Sequence, residues 1–436
     1  MICSGCGWQL PAGARPFRCA NAGRDDVDHV LRRSVELRRE PFLDGDPDPF
    51  VRFRKLTFAW QDAMARGVSD VEYVDVVRRL GDRVESVDGR RFARTPFARR
   101  NDLGVWVKDE TTNVAGSHKS RHLMGVMIWL EIMGRFDRAL AEAPLAIASC
   151  GNAGFAAAVL ARAAGRTLDV YVPEEANAEA VERIAALGAT VTRCARVAGV
   201  AGDPSVLRFR EAVANGALPF TCQGNENGLV IEGGSTLGWE MVAQNPQIER
   251  IFIQTGGGAL ASAVIAAYED ALALGLLERM PRIHAVQTMA SPLARAWQRI
   301  ISPLPASAGR GGSEATGEGV RHAQGTTPLR AMKPRRGEGT GLAYAIQHRS
   351  QFMWPWEAVP SSVASGILDD ETYDWAAIVR GMLASDGEAV VVSEEQLIEA
   401  NRLAGPGVSM TGSAGLAGVL ANPGDATTAV LFTGSR

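Results

Sequence analysis

Three short loops in this chain carry residue types that can do chemistry. The first, Asn113-Val-Ala-Gly-Ser-His-Lys-Ser-Arg-His122, sets Lys119 at the start of a helical pattern formed by Leu123, Val126, Met127, Leu130 and Met133. The end of a helix where N–H groups point outward is electropositive and disfavours a charged amine. The same field favours the neutral, nucleophilic amine that imine formation requires. Taken alone, the loop reads more readily as a solvated lysine in a basic patch with Arg121. The second loop is Ser149-Cys150-Gly151-Asn152-Ala153-Gly154, between an apolar run and an Ala-rich stretch. Glycine permits close backbone approach, and the free N–H groups of a helix start can hold an anion such as a carboxylate. Asn152 adds a donor and an acceptor. The third loop, Thr255-Gly256-Gly257-Gly258-Ala259-Leu260, has three glycines opening a helix, which suits a phosphate. Its spacing is not that of the dinucleotide fingerprint, and no P-loop lysine follows.

The elements that must position these loops alternate in type. Leu145–Ser149 reads as a buried strand, Ala153–Ala164 as a helix stopped by Gly165, and Leu168–Val172 as the next strand. A helix over Asn177–Leu187 and a strand over Thr190–Cys194 follow. The pattern resumes with a strand at Ile251–Gln254, a helix at Ala259–Leu274 and a strand at Ile283–Gln287. Near the end come strands at Ala389–Val392 and Thr428–Phe432, with a capping box at Ser393 and Gln396 opening a helix over 394–404. Successive βαβ units predict parallel sheets covered by helices on both faces. Residues 303–341, rich in Gly, Ser, Ala, Pro and Arg, are expected to form a flexible insertion.

A separate signal lies at residues 1–29. Cys3-x2-Cys6 and Cys19 have the look of a zinc ribbon, but Ala20-Asn21-Ala22-Gly23 stands where a second Cys-x2-Cys would complete it. Thiolate zinc sites need four ligands in a tetrahedron. His29 could stand in, at an unusual spacing. The expectation is a degenerate ribbon that holds no metal.

With 436 residues, 46% hydrophobic and 22% charged, the chain suits two or three domains with sizeable cores. The net charge of −3 is spread without long basic or acidic blocks, which argues against nucleic-acid or membrane-surface partners. Six cysteines in a chain this long do not form a disulfide framework. No apolar run reaches about 18 residues, and the N-terminal residues lack a secretory pattern, so a cytoplasmic protein is expected.

The order of the three loops resembles that of fold-type II pyridoxal-phosphate enzymes, the superfamily of threonine synthase, the threonine and serine dehydratases and the tryptophan synthase β chain. The resemblance runs from about residue 95 to the C-terminus. It extends to Trp106-Val-Lys-Asp-Glu110, to Ile231-Glu-Gly-Gly-Ser-Thr236 with Glu240, to Val363-Ala-Ser-Gly-Ile367 and to Thr411-Gly-Ser-Ala-Gly-Leu-Ala417. It implies two three-layer α/β domains with mostly parallel sheets, behind the ribbon-like segment 1–29. Residues 30–120 and 225–436 would form the larger, cofactor-binding domain, and 121–224 the smaller, substrate-binding one. The resemblance further implies that Lys119 carries pyridoxal 5′-phosphate as a Schiff base and that Asn152 hydrogen-bonds its 3′-oxygen. Gly256, Gly257, Gly258 and Ala259 would cradle the phosphate, and Thr433 would meet the pyridine nitrogen. Ser149, Cys150, Gly151, Asn152 and Ala153 would hold the substrate carboxylate. His118 stands where threonine synthases usually have Phe and resembles the GSHK of tryptophan synthase β chains, where the histidine sits near the phosphate. Ser120 replaces an Asp and Cys150 a Ser. The implied activity is a lyase acting on a small amino acid, eliminating a β or γ substituent, in a homodimer. A cysteine-synthase-like β-replacement enzyme and a non-catalytic cofactor-binding regulator are the other readings. His122 reads more simply as a surface residue, and Cys150 as a small buried packing residue.

Overall fold

The computed structural model describes residues 1–197, 199–200, 202–302, 339–356 and 360–435. In chain order its strands are β1 (Ile2–Cys3), β2 (Leu31–Arg32), β3 (Phe97–Arg100), β4 (Val105–Asp109), β5 (Leu145–Ala148), β6 (Leu168–Pro173), β7 (Thr190–Cys194), β8 (Leu218–Pro219), β9 (Arg250–Gln254), β10 (Arg282–Gln287), β11 (Glu388–Val391) and β12 (Thr428–Phe432). β1 and β2 pair antiparallel and tie the N-terminal segment together. The other strands make a six-stranded sheet, ordered β11-β10-β9-β12-β4-β3, and a four-stranded sheet, ordered β7-β6-β5-β8. All pairings in these two sheets are parallel except that of the edge strand β3 with β4. Burial explains the sequence pattern. Every residue of β9 and β12 is buried, so the central strands read as unbroken apolar runs rather than alternations.

The predicted βαβ elements are present with ends shifted by a residue or so. The helix Asn152–Ala164 stops at Gly165, whose φ of +68° a side chain would disfavour. Asn177 is the cap of helix Ala178–Ala186, its side chain accepting from Ala180 N. The Ser393–Gln396 capping box opens helix Glu394–Ala404 as expected. Between residues 40 and 88 the structure adds helices that were not anticipated, the longest being Asp70–Asp88. A capping box of Ser69 and Glu72 and the buried stripe Tyr73, Val76, Val77, Leu80 and Val84 were the available signals.

The helix that starts at Lys119 runs to Met133 and is buried on all sides except at Lys119 and Glu131. It packs against helix Val230–Gln244, and the two backbones meet at glycines: a Cβ on Gly125 would lie 2.8 Å from Gly233 Cα. The insertion expected over 303–341 falls outside the described residues up to 338, and Gly339 already begins helix Gly339–Gln347. Among the described residues no helix is long and apolar enough to cross a membrane.

Candidate active site

Each candidate residue follows the C-terminal end of a parallel strand. β4 leads through Glu110 and the turn Val114–Gly116 to Lys119, β5 to Ser149–Asn152, β9 to Thr255–Gly258, and β12 to Thr433. Open parallel sheets bind ligands outside these ends, where the strand order reverses. β5 lies between β6 and β8, and β9 between β10 and β12, so both Gly-containing loops open at such reversals.

The Lys119 loop is fastened to the last strand. His118 N donates to Thr433 O at 3.2 Å, and His118 Nδ1 lies 3.0 Å from the same oxygen. Ser435 N donates to Gly116 O at 2.9 Å. His118 is buried, and its pKa falls well below the usual range because burial disfavours the cation, with Lys119 and His122 adding to the effect. It is therefore neutral, and the carbonyl contact assigns its proton to Nδ1. Gln254 Nε2 donates to Thr433 Oγ1 at 2.8 Å, which leaves the threonine hydroxyl hydrogen for another acceptor. Asn152 reaches the same place from the other sheet: a Cβ on Gly434 would lie 2.6 Å from Asn152 Nδ2. Lys119, Asn152 and the Thr433 segment thus converge.

The glycine loop faces Asp369. Gly257 N donates to Asp369 Oδ2 at 2.6 Å, and a Cβ on Gly256 would lie 2.3 Å from that oxygen. Burial pushes the Asp369 carboxyl up to about 6, against the opposing pull of Lys119 and of the Gly257 N–H. Gly258, with φ of +98°, precedes helix Ala259–Ala273 and offers no capping side chain, and the first turn carries no acid. The positive helix end and its N–H groups are thus left for an anion. A carboxylate already accepts from Gly257, so this donor set suits the phosphate of pyridoxal phosphate. Asp369 must yield that N–H when a phosphate takes it.

In the loop after β5, Gly151 N donates to Ser149 Oγ at 3.3 Å, and Gly151 and Asn152 are exposed at the start of their helix, ahead of the buried Ala153. Cys150 is half-buried and packs against the core, and burial raises its thiol pKa. Two expectations are corrected. His122 is not on the surface: it is fully buried, its Nδ1 lies 2.9 Å from Val230 O, and burial together with Lys119 drives its pKa to about 3. Arg121 is not in a solvated patch but is buried between Glu110 and Glu240. The sequence reading passed over Asp369 and Gln254. For Asp369 the signal was the acidic run Asp369-Asp370-Glu371, one residue past Val363–Ile367; for Gln254 there was none beyond its place at a strand end.

The two sheets, the lysine and the glycine cradle define a fold-type II pyridoxal-phosphate protein. The chain belongs to the pyridoxal-phosphate dependent enzyme family, whose model matches residues 89–340, more than half of its length. It is 25% identical over 202 residues to the L-threonine dehydratase biosynthetic IlvA of Haemophilus influenzae, a match covering 45% of this chain and 36% of that protein. A curated relative from Sinorhizobium fredii is 27% identical over 204 residues, 44% of this chain and 56% of its own. The chain therefore matches 36% and 56% of the length of these two relatives. Its fold is similar to that of diaminopropionate ammonia lyase from Escherichia coli, with a TM-score of 0.56 and 16% identity over 93% of this chain and 95% of that one. It is also similar to maize serine racemase, with a TM-score of 0.55 and 16% identity over 83% and 92% of the two chains.

Proposed function

We propose that the protein is a pyridoxal-phosphate-dependent lyase of the threonine synthase and threonine ammonia-lyase kind, removing a β or γ substituent from a small amino acid. The bound cofactor supplies an electron sink for charge developing at the substrate α-carbon. Lys119 holds the cofactor, and its amine takes the α-proton as general base. The N–H groups and side chains of Ser149–Ala153 bind the substrate carboxylate, with Asn152 also reaching the cofactor. Gly256–Ala259 hold the phosphate, and neutral His118, next to Lys119, would face the cofactor. Asp369, whose carboxylate accepts from Gly257 N, would give up that N–H to the phosphate.

The observation that carries the reading is the Thr433 hydroxyl, oriented by Gln254 and free to donate. A neutral hydroxyl at the ring nitrogen does not favour its protonation as a carboxylate would. That disfavours amino-group transfer and prolonged charge at the α-carbon, and favours departure of a side-chain group. Residues 121–224 would form the substrate-binding part, and 30–120 with 225–436 the cofactor-binding part, of a cytoplasmic homodimer.

The test is to load the purified protein with pyridoxal phosphate and offer serine, threonine, O-acetylserine and phosphohomoserine. The expected products are a 2-keto acid with ammonia, or threonine with free phosphate. D-amino acid without keto acid would identify a racemase instead. A product formed only when a thiol is added would identify a β-replacement enzyme.

A further inference from the structure

The N-terminal segment folds so that the ribbon is complete. One ligand atom from each of Cys3, Cys6, Cys19 and His29 lies within 4.8 Å of every other. Cys3 Sγ is 3.5 Å from His29 Nδ1, and Cys6 Sγ is 3.7 Å from Cys19 Sγ. For a tetrahedral zinc with Zn–S about 2.3 Å and Zn–N about 2.0 Å, the S···S and S···N edges come to roughly 3.8 and 3.5 Å. All three cysteines are free thiols. The surroundings are those of a ligand shell. His29 Nε2 lies 2.7 Å from Asp25 Oδ1, which places a proton on Nε2 and turns the Nδ1 lone pair toward the thiols. Asn21 N donates to Cys19 Sγ at 3.4 Å, and Asn21 Nδ2 donates to Cys6 Sγ at 3.5 Å. Gly7, just after Cys6, has φ of +73°, and its N–H donates to Cys3 O at 3.0 Å, forming a tight knuckle around the Cys-x2-Cys pair.

We propose that Cys3, Cys6, Cys19 and His29 bind one zinc ion as a closed structural site. This revises the expectation of a degenerate ribbon without a metal: the fourth ligand is a histidine ten residues beyond the last cysteine. On binding, the three thiols lose their protons to solvent, and the three thiolates with Zn²⁺ leave the site with one net negative charge. With four protein ligands no position is open for catalysis. The ion instead holds a segment that the body grips next door. Asp28 accepts from Trp375 Nε1 at 3.0 Å and from Arg349 Nε at 3.2 Å, and its N–H donates to Ile346 O at 2.8 Å.

The full chain, purified under reducing conditions from zinc-supplemented cells, should contain about one zinc per chain by metal analysis. Mass mapping of alkylated thiols should find Cys3, Cys6 and Cys19 protected until a strong chelator is added, while labelling of Cys150 is indifferent to it. Cobalt exchanged into the wild-type protein should give thiolate charge-transfer bands and the intense visible absorption of a tetrahedral ion. His29→Ala should lose most of the metal, and His29→Cys should keep it. Chelation should lower the thermal midpoint. A metal-free protein whose exposed Cys6 is alkylated equally fast with and without chelator would overturn the proposal. So would a Cys6–Cys19 disulfide under these conditions, or cobalt uptake without thiolate bands.

Discussion

Lys119→Ala removes the amine that is proposed to hold the cofactor. Borohydride reduction of the loaded wild type should fix a pyridoxyl label on the peptide containing Lys119, and the variant should carry none. A label on another lysine would move the site. Asp369 is a second residue whose role can be separated. Asp369→Asn keeps the shape but removes the negative charge that now accepts from Gly257 N. Pyridoxal-phosphate affinity at neutral pH should tighten, by roughly tenfold, or about 1.4 kcal/mol, as read by equilibrium dialysis. Unchanged affinity would mean that the carboxylate does not share the phosphate site. Thr433→Asp should protonate the ring nitrogen and raise racemisation or transamination relative to elimination, while Thr433→Ser should change little, because the hydroxyl is kept. An unchanged product ratio in both variants would remove Thr433 from the site. These residues differ in how far the sequence revealed them. Lys119, Asn152 and the three glycines stand in strand-end loops that are ambiguous one at a time; it is their order along the chain that carries the family resemblance, and Thr433 came only with it. Asp369 showed only as part of an acidic run, and its place in the site was hidden because its partner Gly257 is 112 positions away.

The element that aims Lys119 is a helix start held by buried charge. Arg121 Nε donates to Glu110 Oε2 at 2.8 Å and its Nη1 to Glu240 Oε1 at 3.0 Å, and Lys108 Nζ also bonds Glu240. Burial alone would raise the Glu240 pKa, but Arg121 and Lys108 hold it below the usual value. Two cations thus face two carboxylates, joining β4, the Lys119 helix and helix Val230–Gln244. Arg121→Met leaves two buried carboxylates with one cation, and should cost about 3–5 kcal/mol in urea unfolding. A loss below about 1 kcal/mol would mean that the cluster is solvated. The phosphate loop makes its own demand: Gly257→Asp would bring a side chain against the Tyr373 ring, 2.9 Å from the added Cβ, and a second negative charge beside Asp369. Cofactor retention should fall steeply. The strands and helices around the site were legible because a buried parallel strand is a short apolar run and a helix end carries its own cap. The charge cluster was not, since Arg121 reads as solvated until the chain brings Glu110 and Glu240 to it.

Across the whole molecule, burial sets a pH dependence. Asp48, Glu232 and Asp374 are pushed up to about 7, and Asp369 to about 6, in each case by burial first. The folded state therefore keeps protons that the unfolded chain has released. Stability should fall as pH rises from about 6.5 to 8, by about 2 kcal/mol in all. Histidines work in the opposite sense: His122 and His284 are held near 3 and 4 by burial, so acid protonates the unfolded chain first. Four carboxyls keep protons in the folded state where only two histidines refuse them, so stability already falls between about pH 5 and 6.5, less steeply than the carboxyls alone would give. The thermal midpoint of the cofactor-free protein should decline from about pH 5 to about pH 8; a rise over that range would contradict these assignments. By itself the sequence determined the βαβ alternation, the parallel sheets and the order of the three loops, because each rests on residues a few positions apart. Only the tertiary structure decided that Asp369 lies in the glycine cradle, that Arg121 and His122 are buried, and that His29 joins the three cysteines. Those contacts depend on which distant segments the packed core brings together. Burial and the ionisation that follows from it belong to the folded chain and not to any local stretch of it.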